Sequence, residues 1–414
     1  MGPPLPYLLK EMQGGTGVSC PDGGGEDGGK NHQGVGTHGT GEGIPEELGE
    51  DLKVVKNLRL GKLVTDLPNR GVPVYGWFPL KEAFSRSLVV MLLQNLWMGR
   101  GDRVLDPFCG KGTTLLACKE LGVDAVGYEV HPLLLFLCRV ETRDYDLSSL
   151  RKAGKELLST PFHPPSTSPP KFLQKFFHPG VLQDLLFFKE EILKREEGER
   201  EFLLTALMLA AVESSWAFRD GEVLKVRKRK TPPLREALAR RIGWMCDDLE
   251  KLGTKRVDLT IVEGDAREME VEEEAFDAVI TSPPYPGKLE YVHAYRLEEE
   301  ILGLPPPPPE KLLGVRMEEG EPKFEREAYL EDLSKVVEKL YVACVEGGEV
   351  AMVISDGCFP EERKDFDGWP PVCEIAEKAG FKVRKAIIVN ERFCTTPSRK
   401  KLGVMREYLL QWRK

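Results

Sequence analysis

Apolar positions along this chain follow two rhythms: short runs rich in β-branched residues, and longer stretches that repeat every three to four positions. The second rhythm predicts a helix over Phe84–Trp97, stopped by Gly99 and Gly101. Arg103-Val104-Leu105-Asp106 reads as a short buried strand, followed by a glycine-rich turn and a helix from about Thr113 to Leu121. Ala125–Glu129, Leu259–Val262, Ala278–Thr281 and Val350–Ser355 are further strand-like runs. Lys382–Val389 and Glu407–Trp412 predict a C-terminal antiparallel strand pair. Strands separated by helical stretches predict an α/β fold, a Rossmann-like parallel sheet with helices on both faces.

Between Asp146 and Leu252 the strand rhythm stops. A proline-rich stretch, His163–Pro170, leads into helical periodicity over Pro179–Phe218 and again over Leu234–Leu252. So long a segment is not a loop inside a compact domain, so residues 146–255 are expected to form an α-helical insertion. Residues 51–145 and 256–414 then form the α/β domain. Pro305–Pro309 reads as a stiff surface loop. Residues 1–50 differ again, with 15 of the 41 glycines, two lysines and eight acidic residues. Such a stretch cannot bury enough apolar surface to offset its ordering entropy and is expected to be a disordered tail. Met1–Leu9 is mildly apolar, and His32 and His38 lack a partner at metal-ligand spacing.

The whole chain carries 58 basic and 67 acidic residues, a net charge of −9. That argues against a wholly basic nucleic-acid coat without excluding a local basic surface. The nine cysteines include no CxxC pair and no zinc-finger spacing, which suits reduced thiols in a cytoplasmic protein. The apolar runs Leu203–Val212 and Leu88–Met98 fall short of the roughly 20 residues a bilayer requires.

Chemistry concentrates at two strand ends. In Asp106-Pro107-Phe108-Cys109-Gly110-Lys111-Gly112-Thr113, the two glycines allow a sharp turn and close approach to a ligand. Glu129 ends the next strand, where a carboxylate can accept from ribose hydroxyls. A dinucleotide fingerprint would require a third glycine where Leu115 stands, and a P-loop pattern is absent. Asp106 would suit a ligand with a cationic end. Asp265, after Leu259–Val262, could accept from an adenine amine. The second site is Ser282-Pro283-Pro284-Tyr285, closing the strand that ends at Thr281. Two prolines offer no N–H and hold neighbouring carbonyls rigid. With Ser282 Oγ and the Tyr285 ring, they suit a planar heterocycle bearing an amino group.

Together the two motifs resemble the amino-methyltransferases of nucleic-acid bases, whose glycine motif D-P-F-x-G-x-G-T is matched at Asp106–Thr113 and whose [DNS]-P-P-[YFW] motif is matched at Ser282–Tyr285. The resemblance covers roughly residues 72–145 and 256–414. It implies a methyltransferase fold, S-adenosyl-L-methionine as cofactor, and methyl transfer to an exocyclic amine. Ser282, Pro283, Pro284 and Tyr285 would be catalytic. Phe84, Asp106, Pro107, Phe108, Gly110, Gly112, Thr113, Glu129 and Asp265 would bind the cofactor. Trp77-Phe78-Pro79 with Phe84-Ser85 would wall its methionine end. The serine form resembles the cytosine-N4 branch acting on DNA; structured RNA as the target, and a catalytically silent nucleic-acid-binding factor, remain alternatives. Cytosine-C5 chemistry requires a Pro-Cys nucleophile, which is absent, and Cys109 reads as a packing residue.

Residues 219–256 hold 12 basic and 6 acidic residues, peaking at Arg227-Lys228-Arg229-Lys230. This is the expected phosphate-contacting patch. Ser398–Lys401 would be a second patch, and Arg296 either holds substrate or pairs with Glu299 or Glu300. A base within a duplex would have to flip out to reach the site, with the insertion as recognition element.

Overall fold

The computed structural model describes residues 52–81, 83–220, 223–286, 294–359, 364–366, 368–395 and 401–414. The glycine-rich tail with His32 and His38, and residues 398–400 of the second basic patch, lie outside the described residues.

The centre is an eight-stranded sheet in the order β1 (Lys53–Lys56), β13 (Lys382–Thr395), β14 (Lys401–Arg413), β10 (Cys344–Ser355), β7 (Phe276–Thr281), β2 (Arg103–Asp106), β3 (Asp124–Glu129), β6 (Leu259–Glu263). β14 runs against both neighbours and the other pairings are parallel. The expected α/β sheet and its antiparallel C-terminal pair are both present. The pair is longer than its apolar runs, because outside those runs the backbone ladder continues through Asn390–Thr395 and Lys401–Arg406. β1, with its mostly exposed Lys-Val-Val-Lys, carried no burial signal and joins the sheet only by pairing with β13.

Helix α1 (Arg86–Asn95) starts later than its periodicity suggests. Ser85 sits in extended conformation and its Oγ accepts the Leu88 N–H at 3.3 Å, capping the helix. Phe84 is therefore left on an extended segment. α2 (Thr113–Leu121) follows the glycine turn and α3 (Pro132–Thr142) follows β3.

The insertion contributes α4 (Leu147–Ser159), α5 (Pro179–Leu193), α6 (Glu197–Glu213) and α7 (Leu234–Lys251). It also contains a hairpin, β4 (Ala217–Asp220) with β5 (Val223–Val226), where a helix running to Phe218 was expected. Four-residue strands with mostly exposed positions carry no burial signal. Val223–Val226 beside Gly221 was the available signal. One apolar cluster joins the four insertion helices to α3 and to Val74, Tyr75, Trp77 and Phe78. Asp248 of α7 accepts the Trp77 indole N–H at 3.0 Å and the Val74 N–H at 3.3 Å. The insertion thus shares its core with the segment that leads into the sheet.

α8 (Arg296–Leu302), the hairpin β8 (Val315–Glu318) with β9 (Glu321–Phe324), and α9 (Arg326–Ala343) separate β7 from β10. A further hairpin, β11 (Gly357–Phe359) with β12 (Lys364–Phe366), precedes α10 (Trp369–Ala379). Among the described residues, no helix is long and apolar enough to cross a membrane.

Candidate active site

The chain leaves β2 for β3 on one side, while β7 lies on the other, so the carboxyl ends of β2 and β7 form a topological switch point. Their ladder pairs Val104 with Ala278 and Leu105 with Val279. Beyond it, Asp106 bridges the gap: it accepts the Thr281 hydroxyl at 2.7 Å, the Thr114 hydroxyl of α2 at 2.6 Å and the Phe108 N–H at 3.1 Å. Burial pushes Asp106 up to about 6, against the pull of these donors. Asp106 does not line the cavity above it; the structure makes it a tie between β2, β7 and α2.

The turn that follows divides its labour. Gly110 has φ +55° and faces the cavity, where a Cβ would meet only Leu80 at 3.5 Å. Gly112 has φ +89° and faces α3; a Cβ there would lie 2.7 Å from Cys138 Sγ. Gly112 is thus required for packing and not for ligand approach. Lys111 is fully buried, and its ammonium donates to the carbonyls of Tyr75 and Phe78, which ties the 72–80 segment to the turn. Cys109 lines the cavity with its Sγ 4.0 Å from Cys138 Sγ, and that contact together with burial holds its thiol protonated.

Glu129 is half-buried at the cavity edge. Its carboxylate accepts N–H groups from Gly110 (2.9 Å), Val130 (2.8 Å) and His131 (2.7 Å), and burial pushes it up to about 7. Three of its four lone-pair sites are so engaged, leaving capacity for a hydroxyl. Asp265 also lines the cavity, but its carboxylate is forked with Arg267 at 2.6–3.1 Å. The expected amine acceptor is already paired.

The same cavity is walled by Leu80, Phe84, Pro107, Phe108, Thr113 and His131 on one side and by Leu313, Val315 and Phe324 on another. Ser282, Pro283, Pro284 and Tyr285 close it. The cavity has a volume of about 140 Å³. Tyr285 is 4% exposed, yet it faces this cavity and its hydroxyl bonds to Ser282. Both motifs therefore meet in one place.

Residues 81–135 match the family model described as DNA methylase. Type II methyltransferase M.BsoBI of Geobacillus stearothermophilus is 27% identical over 288 residues, which cover 59% of this chain and 55% of that protein. Type II methyltransferase M.AvaI of a Nostoc species is 26% identical over 275 residues, 59% of this chain and 57% of that protein. Over these stretches the chain is similar to DNA amino-methyltransferases. It spans a little over half the length of these curated relatives. The crystal structure of TrmN from Thermus thermophilus overlaps 84% of this chain and 53% of that one, at 13% identity and a TM-score of 0.33.

The cofactor implied by the likeness to DNA amino-methyltransferases is S-adenosyl-L-methionine, and the cavity fits it by three tests. The space above Gly110 is what a side chain would fill, Glu129 keeps an acceptor site, and the opposite wall is apolar enough for an adenine ring. Other expected residues lie elsewhere. Trp77 and Phe78 are buried in the core, at 1% and 4% exposure, and wall nothing; Leu80 and Phe84 take that place, because Asp248 draws the indole into the helical layer. Arg227–Lys230 are exposed and away from the cavity lining, with the Arg227 guanidinium 4.2 Å over the Phe218 ring and Lys228 5.3 Å over Trp216. Arg296 is exposed, 4.4 Å over Phe172 and 3.8 Å from Glu300.

Sequence inspection missed the group that holds the far wall. Asp332 of α9 accepts the Gly314 N–H at 3.0 Å and pairs with Arg316 and with Arg267, which also donates to the Glu310 carbonyl. Asp332 sits in an ordinary amphipathic helix, Arg316 in a short hairpin and Arg267 in the loop after β6, so no local pattern distinguishes them.

Proposed function

We propose that this chain transfers a methyl group from S-adenosyl-L-methionine to an exocyclic amine of a DNA base, cytosine N4 in particular. The observation that carries the reading is the single cavity bounded by the Gly110 turn, Glu129 and Ser282–Tyr285. S-adenosyl-L-methionine supplies an electrophilic methyl carried on a sulfonium. Glu129 would hold the ribose hydroxyls, while Leu80, Phe84, Phe108 and Thr113 would enclose the remainder of the donor beside Gly110. Leu313 and Val315 would flank its adenine.

The exocyclic amine is a poor nucleophile because its lone pair is delocalised into the ring. Ser282 Oγ and the Pro283 carbonyl would accept its two N–H bonds, favouring a pyramidal nitrogen whose lone pair points at the methyl. Ser282 has two acceptor lone pairs, so it can serve the amine while holding Tyr285. The Tyr285 ring would stack on a base drawn out of the helix. Catalysis is then positioning and directed hydrogen bonding, without a covalent intermediate. Serine at 282 favours cytosine over adenine. Arg227, Lys228, Arg229, Lys230 and Arg296 would contact the phosphate backbone.

The test is incubation with labelled cofactor and separate DNA and ribosomal RNA pools, then nucleoside mass spectrometry. N4-methylcytosine from the DNA pool is the expected product. N6-methyladenine would overturn the base assignment, and label confined to RNA would overturn the substrate class. Ser282→Ala should lower methyl transfer about tenfold, the worth of one hydrogen bond of roughly 1–1.5 kcal/mol, with cofactor affinity unchanged.

A further inference from the structure

The acceptor loop has an anchoring problem. Pro283 and Pro284 have no N–H, so over these two residues the backbone can be tied only through carbonyl oxygens. If the Pro283 carbonyl is to accept the substrate amine, it must be left open. The structure ties the next one: Tyr329 of α9 donates its hydroxyl to the Pro284 carbonyl at 3.0 Å. Tyr329 is 3% exposed and lies in the first turn of α9, so a donor from a rigid element reaches the loop.

That turn is itself locked. The Glu325 N–H at its start donates to the Gly314 carbonyl at 2.8 Å, and the Tyr329 ring lies 5.9 Å from Phe324. Gly314 is pressed against Tyr329, since a Cβ there would approach Tyr329 Cβ to 2.7 Å. Asp332, one turn further along, fixes Gly314 and the two arginines. One end of α9 thus grips both the far wall of the cavity and the loop opposite the Gly110 turn. Burial raises the Tyr329 hydroxyl well above its ordinary range, so it remains a donor.

We infer that Tyr329 is a positioning residue for methyl transfer: by holding the Pro284 carbonyl it sets where the Pro283 carbonyl and the Tyr285 ring stand, without touching substrate or cofactor. This rests on the amino-methyltransferase reading above. The bland alternative is that Tyr329 is a core tyrosine whose hydroxyl found the nearest carbonyl. The two differ in what loss of the hydroxyl does. A positioning role moves kcat and loop mobility; a core role moves stability alone.

The experiment compares Tyr329→Phe with Tyr145→Phe. Tyr145 donates to the Val140 carbonyl at 3.0 Å, half-buried and away from the cavity lining, so its loss removes a phenol–carbonyl bond of the same kind elsewhere. Hydrogen–deuterium exchange is read on the peptide covering 276–286, and kcat and KM are read with DNA and labelled cofactor. Tyr329→Phe should speed exchange at the Tyr285 amide and lower kcat about tenfold with cofactor KM within twofold. Tyr145→Phe should do neither. Unaltered exchange in Tyr329→Phe, or faster exchange with kcat within twofold of the parent protein, overturns the inference. A parent protein that transfers no methyl would overturn the proposed function and this inference's kinetic half, while the exchange comparison still decides whether the tether exists.

Discussion

Three carboxylates, two buried and one half-buried, sit near the glycine turn, and their surroundings set them different tasks. Asp106 ties strands, Glu129 faces the ligand space, and Glu141 of α3 lies 3.8 Å from the Lys111 ammonium with neither oxygen hydrogen-bonded among the described residues. Burial raises them to about 6, 7 and 8 respectively. A raised carboxyl binds a proton in the folded state that the unfolded chain has already released, so stability falls as pH rises from the unfolded value to the folded one. The protein should therefore lose melting temperature between about pH 4.5 and pH 8. Glu141→Gln, which removes the highest of the three, should flatten the upper part of that fall in calorimetry. A profile superimposable on the parent's would refute the assignment. The two glycines make a second residue-level contrast. Gly112→Ala should cost roughly 2–3 kcal/mol in denaturant unfolding, from left-handed strain plus a clash with Cys138. Gly110→Ala should cost only about 1–2 kcal/mol of stability and show its effect in weakened cofactor binding.

At the scale of elements, the hydrophobic rhythm located β2, β3, β6, β7, α1 and α2 to within a few residues. Most of them bury their own apolar residues: Val104 and Leu105 are fully buried in a four-residue strand. The rhythm failed where an element exists only by pairing. β1, β4, β5, β8 and β9 are four-residue strands with exposed positions, stabilised by partners distant or reversed in the chain. The β8–β9 hairpin matters most, because it walls the cavity and is held by the Asp332–Arg316 pair as well as by Val315 and Phe324. Asp332→Asn would leave Arg267 and Arg316 without their shared carboxylate. Breaking such a part-buried pair should destabilise by about 3 kcal/mol, and isothermal titration with S-adenosylhomocysteine should show weaker binding. Unchanged affinity would mean that the wall does not contact the ligand.

Over the whole molecule, a net charge of −9 coexists with the exposed basic run after β5. β4 precedes that run and is fastened to α8, through Arg219 forked to Glu298 at 2.7–2.9 Å. Replacing Arg227, Lys228, Arg229 and Lys230 with glutamine should weaken DNA binding and reduce the slope of log affinity against log salt by about 3–4, if each cation meets a phosphate. An unchanged slope in fluorescence anisotropy would make the run a solvated face only. The sequence by itself determined what depends on neighbours along the chain: the buried strands, the glycine turn, and a diproline loop whose missing N–H groups are a covalent fact. Only the tertiary structure decided which side chains face the ligand. It turned Asp106 inward as a strand tie, paired Asp265 with Arg267, moved Trp77 into the helical layer and brought Tyr329 to a carbonyl 45 positions away. The reason is that a polar group's role depends on its nearest donors and acceptors in space, and in a parallel sheet with long crossovers those partners are supplied by distant segments.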